Sequence, residues 1–169
     1  MTYAIVRGWL SGMAAAFVEL ILAATLLLPG YSPSAQLGAI SPSVFTITII
    51  ALLEEGLKCL SLRGISSETT PFFRNAIFKG LLVGTGFALF EFGLKILFQG
   101  DTSGTALVPG GISSGILHIA SGGLLGAAWY FRIHKSSGGI FWIFFFGAML
   151  LHIGYNILIS PLLLSMLVS

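Results

Sequence analysis

Charge is scarce in this chain. Asp, Glu, Lys and Arg make up 8% of its 169 residues, against about 25% in an average soluble domain. That shortage excludes a soluble globule: 56% of the residues are hydrophobic, and a folded domain of this length still leaves roughly 30% of its chain surface in water. A lipid bilayer is the solvent that accepts such a surface. Cysteine is nearly missing as well. The single Cys59 excludes an internal disulfide and any CxxC-type metal site; it reads as a small residue facing lipid or a neighbouring helix. Basic runs are missing, no aromatic residues alternate with basic ones, and the formal net charge is only +2, so nucleic acid is not expected as a partner. A cleaved signal peptide is not expected either. Arg7 precedes an apolar stretch containing Ala14-Ala15-Ala16, but the stretch runs on to Leu28, beyond the ~7–15 residues of a secretory h-region.

What the chain has in abundance is apolar length. A helix needs about 20 apolar residues to cross the hydrocarbon core, and five segments qualify: 8–28, 44–62, 76–98, 111–131 and 140–159. Pro29-Gly30 ends the first, and Ser32-Pro33 and Ser41-Pro42 mark turns in the loop after it. A polar stretch over 63–74, a Gly100-Asp101-Thr102-Ser103-Gly104 loop and a basic turn over 132–139 separate the others, and Pro161 breaks the chain after the last. The expectation is an all-α polytopic bundle of about five transmembrane helices, forming one integral membrane domain over 1–169. Lys and Arg orient it. Arg7, the Arg63–Arg74–Lys79 connection and the Arg132–Lys135 turn fall on one side if the N-terminus is cytoplasmic. Glycine is also plentiful, at 22 residues, and Gly80-xxx-Gly84 and Gly122-xxx-Gly126 have the small-xxx-small spacing that lets helix backbones approach closely in lipid.

Against this background the polar residues stand out. An ionisable group in the bilayer costs about 2.5–3.5 kcal/mol on insertion scales, and such groups face the bundle interior and mark function. The chain has Glu19, Glu54, Glu55, Lys58, Glu91, His118 and His152, with Asn156 beside them. Their depths agree. Glu54 and Glu55 sit at the centre of the second span; Glu91, His118 and His152 lie about 4–6 Å from the centres of theirs, all displaced to the outer side. Four helices therefore bring carboxylates and imidazoles to nearly one level. At i,i+4 spacing Glu54 can pair with Lys58, Glu91 with Lys95, and His152 shares a face with Asn156. Glu19 reads as a hydrogen-bonded packing residue or a partner for Lys58.

A carboxylate beside imidazoles in a partly dry site can hold and deprotonate a water, and a His/Asn pair can donate to an oxyanion. That set suits peptide-bond hydrolysis. Two adjacent buried carboxylates cannot both stay ionised without a cation, which Lys58 or a histidine supplies. No cofactor is required by this chemistry. The alternative is Zn²⁺ on Glu91, His118 and His152, the make-up of a three-ligand catalytic site, although the HExxH spacing is missing. Gly111-Ile112-Ser113-Ser114-Gly115 matches GxSxG, but a nucleophile elbow needs a strand–turn–helix context, and here a membrane helix begins. His134 falls in the basic turn and reads as solvated.

Four motifs in order carry a resemblance. Glu54-Glu55-Gly56-Leu57-Lys58 resembles the EExxK motif of the PrsW family of intramembrane proteases, and Phe87-Ala88-Leu89-Phe90-Glu91 resembles its FxxxE motif. His118, with Gly122 and Gly126 following, resembles its third motif, and His152-Ile153-Gly154-Tyr155-Asn156 its closing HxxxN. The family is similar to the wider group of CAAX-type and bacteriocin-processing enzymes, which carry EExxxR and FxxxH; Lys58 and Glu91 place this chain nearer PrsW. The resemblance implies a multi-pass protein of the cell membrane that cuts membrane-associated protein or peptide substrates, anti-sigma factors among them in bacteria. It implies Glu54 or Glu55 as the base, Glu91 and His118 orienting the water or sharing its proton, and His152 and Asn156 binding the oxyanion, with Lys58 and Phe87 in support. The expected activity is thus an intramembrane endopeptidase using glutamate-activated water. The alternatives are a proton- or cation-coupled transporter, which also needs mid-membrane carboxylates and histidines, and a non-catalytic immunity or assembly protein.

Overall fold

The computed structural model describes residues 2–27, 44–63, 72–98, 104–135 and 137–159, except the side chains of 19–27, 98, 104–108 and 159. These form five α-helices: α1 (Thr2–Leu27), α2 (Val44–Arg63), α3 (Phe73–Phe98), α4 (Gly104–His134) and α5 (Gly138–Gly154). A π-helical turn, Tyr155–Ile159, continues α5. Strands are absent among the described residues. The turns expected at Pro29-Gly30, Ser32-Pro33 and Ser41-Pro42, the loop at 100–103, the Pro161 break and the side chain of Glu19 lie outside the described residues.

Among the described residues, three helical stretches are long and apolar enough to cross a membrane: Phe73–Leu97, Pro109–His134 and Gly138–Leu158. The protein is an all-α membrane helix bundle. Helix α2, at 20 residues, spans about 30 Å but carries Glu54, Glu55 and Lys58 in its length. It hides Glu55 and Lys58 completely while presenting Leu52 and Leu60 outward. The expected boundaries hold within a few residues except at two helix starts: α1 begins at Thr2 rather than near 8, and α4 also begins early. Helix α4 starts at Gly104 rather than near 111 and encloses Pro109. Proline lacks the N–H that would reach the carbonyl four residues back and its ring crowds that carbonyl, but at position 109 the interruption stays within the first two turns of α4.

Packing follows residue size. Helix α3 lies along α4 on one side and α1 on the other, α5 packs on α4, and α2 closes the bundle against α1, α4 and α5. Glycines set the α3–α4 distance: a Cβ at Gly80 would run into the Gly122 carbonyl, and one at Gly84 into that of His118. The small-xxx-small pairs of the sequence thus form one seam. Elsewhere the interior holds Ala51, Leu62, Val83, Leu125, Phe145 and Ala148. Large side chains such as Phe45, Ile116, Ile143 and Leu150 point outward, as expected where the surroundings are lipid. Hydrogen bonds outside the polar residues of the interior also tie α2 in place. Trp129 Nε1 donates to the Cys59 carbonyl at 2.7 Å, and Arg7 donates to the Ser61 carbonyl at 3.2 Å.

Candidate active site

Inside this apolar frame lies a polar centre built from four helices. Glu54, Glu55 and Lys58 come from α2, Phe87 and Glu91 from α3, His118 and Ser121 from α4, and His152 from α5. Glu55, Lys58, His118, Ser121 and His152 are all buried. Ungrouped, each would be costly in lipid; together they satisfy one another.

The Lys58 ammonium hydrogen-bonds Glu55 Oε1 at 2.6 Å, His118 Nδ1 at 2.9 Å and Ser121 Oγ at 3.1 Å, and it lies 4.6 Å from the centre of the Phe87 ring. Lys58 therefore pairs with the carboxylate at i,i+3 rather than with the expected i,i+4 partner, Glu54. Both spacings are neighbours on a helix surface, and the position of α4 selects Glu55. Glu55 Oε1 also accepts from Ser121 at 3.2 Å and lies 2.8 Å from His152 Nδ1. Its other oxygen, Oε2, is buried and has no hydrogen-bond partner among the described residues.

The histidine tautomers follow from their partners. An ammonium only donates, so His118 Nδ1 is an acceptor and its proton is on Nε2. Nε2 then donates to Glu91 Oε2. An ionised carboxylate only accepts, so His152 Nδ1 donates to Glu55, and in the neutral ring Nε2 carries the lone pair. That nitrogen lies 3.6 Å from Glu54 Oε2, and His118 Nδ1 lies 3.9 Å from the same oxygen. Glu54, His118 and His152 thus bring one ligand atom each to within 4.8 Å of one another. Two imidazoles and one carboxylate are the donor set of a catalytic zinc site. Each ring also has its remote nitrogen on a carboxylate, the arrangement that orients metal-bound histidines. The residues present fit a divalent metal ion.

Glu54, rather than the Glu91 of the zinc alternative, completes this trio. An imidazole has nitrogens on opposite edges, and Glu91 occupies the Nε2 edge of His118, so the Nδ1 edge faces Glu54. Glu91 also pairs with Lys95 at 2.6 Å, as its i,i+4 spacing implied, and both are nearly one-third exposed. Lys95 donates to Ser114 Oγ at 2.9 Å.

Other sequence expectations are placed as follows. Ser113 and Ser114 of the GxSxG match lie within helix α4, hydrogen-bonded to the carbonyls of Gly110 and Gly111. The elbow context is missing. Ser113 also meets the Tyr155 hydroxyl at 2.6 Å. Asn156 is half-buried in the π-helical turn that follows His152; among the described residues its amide makes no hydrogen bond. Ser121 escaped the sequence reading. Its only signal was its position three residues after His118, on the same helix face.

No curated protein and no solved structure matches the chain. Residues 1–168, nearly the whole length, match one family, described as PrsW family intramembrane metalloprotease. This chain therefore belongs to the PrsW family of intramembrane metalloproteases.

Proposed function

We propose that this protein hydrolyses peptide bonds of membrane-associated proteins at the Glu54–His118–His152 centre, and that these three residues hold a divalent metal ion, with zinc the first candidate. The observation that carries the reading is the convergence of Glu54 Oε2, His118 Nδ1 and His152 Nε2 inside an apolar bundle. A metal ion bound there supplies Lewis acidity to the substrate carbonyl and to water. The remaining work belongs to the chain. Glu91 holds the Nε2 edge of His118, and Glu55 holds the Nδ1 edge of His152. Lys58, Ser121 and His152 all engage Glu55 Oε1, which leaves Oε2 to take a proton from the attacking water. The water oxygen joins the carbonyl carbon, the C–N bond breaks, and the proton passes to the leaving amine. Asn156, with an unspent amide, donates to the oxyanion together with a backbone or side-chain partner at the α5 end. By the distribution of Lys and Arg, the N-terminus faces the cytoplasm of a cell membrane.

The test is cleavage of single-span substrates by the purified, reconstituted protein. Glu54→Gln and His152→Ala should lose both metal and cleavage. Glu55→Gln should keep metal at saturation yet lose cleavage by about 10²–10⁴-fold, the usual contribution of a positioned base. Cleavage that survives all three substitutions refutes the assignment.

A further inference from the structure

Lys58 holds a nitrogen that a metal ion would also need, His118 Nδ1. Its ammonium is fully buried and spends its three donors on Glu55, Ser121 and His118 Nδ1. The Phe87 ring covers it at 4.6 Å. The third bond matters most. His118 Nδ1 carries one in-plane lone pair, which serves one electrophile at a time, and it is one of the three atoms that converge with Glu54 and His152. The other two bonds of Lys58 involve no atom of that trio.

We propose that Lys58 is an internal cation that caps the metal-facing nitrogen of His118, so that a divalent ion binds only when the ammonium lets go of Nδ1. Lys58 thereby sets the metal affinity of the centre; this rests on reading Glu54, His118 and His152 as the metal site. With no ion bound, the cap keeps the proton of His118 on Nε2, its ring on Glu91, and the buried Glu55 carboxylate compensated. Leaving that carboxylate alone would be strongly unfavourable. With an ion bound, Lys58 retains Glu55 and Ser121 and gives up only His118. The centre therefore stays closed and ordered without metal, and exchanges one cation for another on loading.

The experiment is a Co²⁺ titration of the full-length protein in nanodiscs, followed by the visible d–d absorption of the bound ion, with Zn²⁺ measured by displacement. The variants are Lys58→Met, Glu55→Gln and the pair Glu55→Gln/Lys58→Met. The pair removes one carboxylate and one ammonium together, so the net charge of the centre is unchanged and no lone buried charge remains. It carries the test if Lys58→Met does not fold. A hydrogen bond to a charged group contributes about ten- to a hundredfold in an equilibrium constant, so Lys58→Met should bind Co²⁺ at least about tenfold tighter than wild type, and the pair at least about tenfold tighter than Glu55→Gln alone, which carries the lost anchor of His152. Metal bound by Lys58→Met but not by wild type is the same result in stronger form. If Lys58→Met gains over wild type but the pair gains nothing over Glu55→Gln, the effect runs through Glu55 and the cap is refuted. Equal or weaker binding in both comparisons refutes it too. Should Glu54→Gln and His152→Ala abolish binding in that case, the metal site stands and only the role of Lys58 falls. Binding in no variant overturns both.

Discussion

The α3–α4 seam makes a prediction that separates packing from propensity on a single helix. Gly84 and Gly93 both lie inside α3. A Cβ at Gly84 would overlap the carbonyl of His118, its carbon and the Cα of Ile119, whereas a Cβ at Gly93 meets nothing within 4 Å. Gly93→Ala should therefore show only the helix-propensity gain of alanine, about 0.5–1 kcal/mol. Gly84→Ala gains the same term but must push backbone away from backbone by about 1 Å or more to reach van der Waals separation. Overpacking of that kind costs about 1–3 kcal/mol, and no flexible side chain is present to absorb it. The displaced residue is His118 itself, so its bond to Glu91 stretches as well. Thermal unfolding in nanodiscs, followed by circular dichroism, should move in opposite directions for the two variants, by about 2–4 °C per kcal/mol in a chain of this size. Cleavage should fall for Gly84→Ala alone. If Gly84→Ala unfolds no earlier than wild type and cleaves normally, α3 and α4 do not meet at this seam and the placement of His118 is wrong.

Three further outcomes follow from the centre. Ser121→Ala removes one acceptor from Lys58 and one donor from Glu55; it should cost about 1–3 kcal/mol in denaturant unfolding, and no change would mean that water replaces the hydroxyl. Glu91→Gln leaves the His118 ring in place but weakens its anchor, so Co²⁺ affinity should drop about 10–100-fold; an unchanged titration would remove Glu91 from the positioning of His118. Ser114→Ala deletes only the hydroxyl that meets Lys95, and cleavage should stay within about twofold, since a serine within a helix lacks the elbow that makes a nucleophile. Covalent labelling of Ser113 or Ser114 by a serine-directed phosphonate would contradict that.

Much of this was legible in the sequence because each signal is local or one-dimensional. Apolar length dictates a bilayer, and periodic spacing dictates helices. A charge in an apolar helix must be turned inward, so Glu54, Glu55, Lys58, Glu91, His118 and His152 could be picked out and even assigned a common depth from the 1.5 Å rise of a helix. The glycine pairs likewise announced a close seam. What the sequence left open is which edge of each side chain meets which neighbour. Lys58 had two carboxylates within helical reach, and only the position of α4, set by Gly80 and Gly84 against the α4 backbone, gives it Glu55 and His118. The zinc alternative read from the sequence used Glu91; the rotation of the His118 ring, held by Glu91 on one edge and Lys58 on the other, puts Glu54 in the trio instead. Helix spacing is fixed by bonds along one chain and can be read from order alone, whereas the pairing of atoms across four helices depends on their rotation and distance, which only the packed bundle decides.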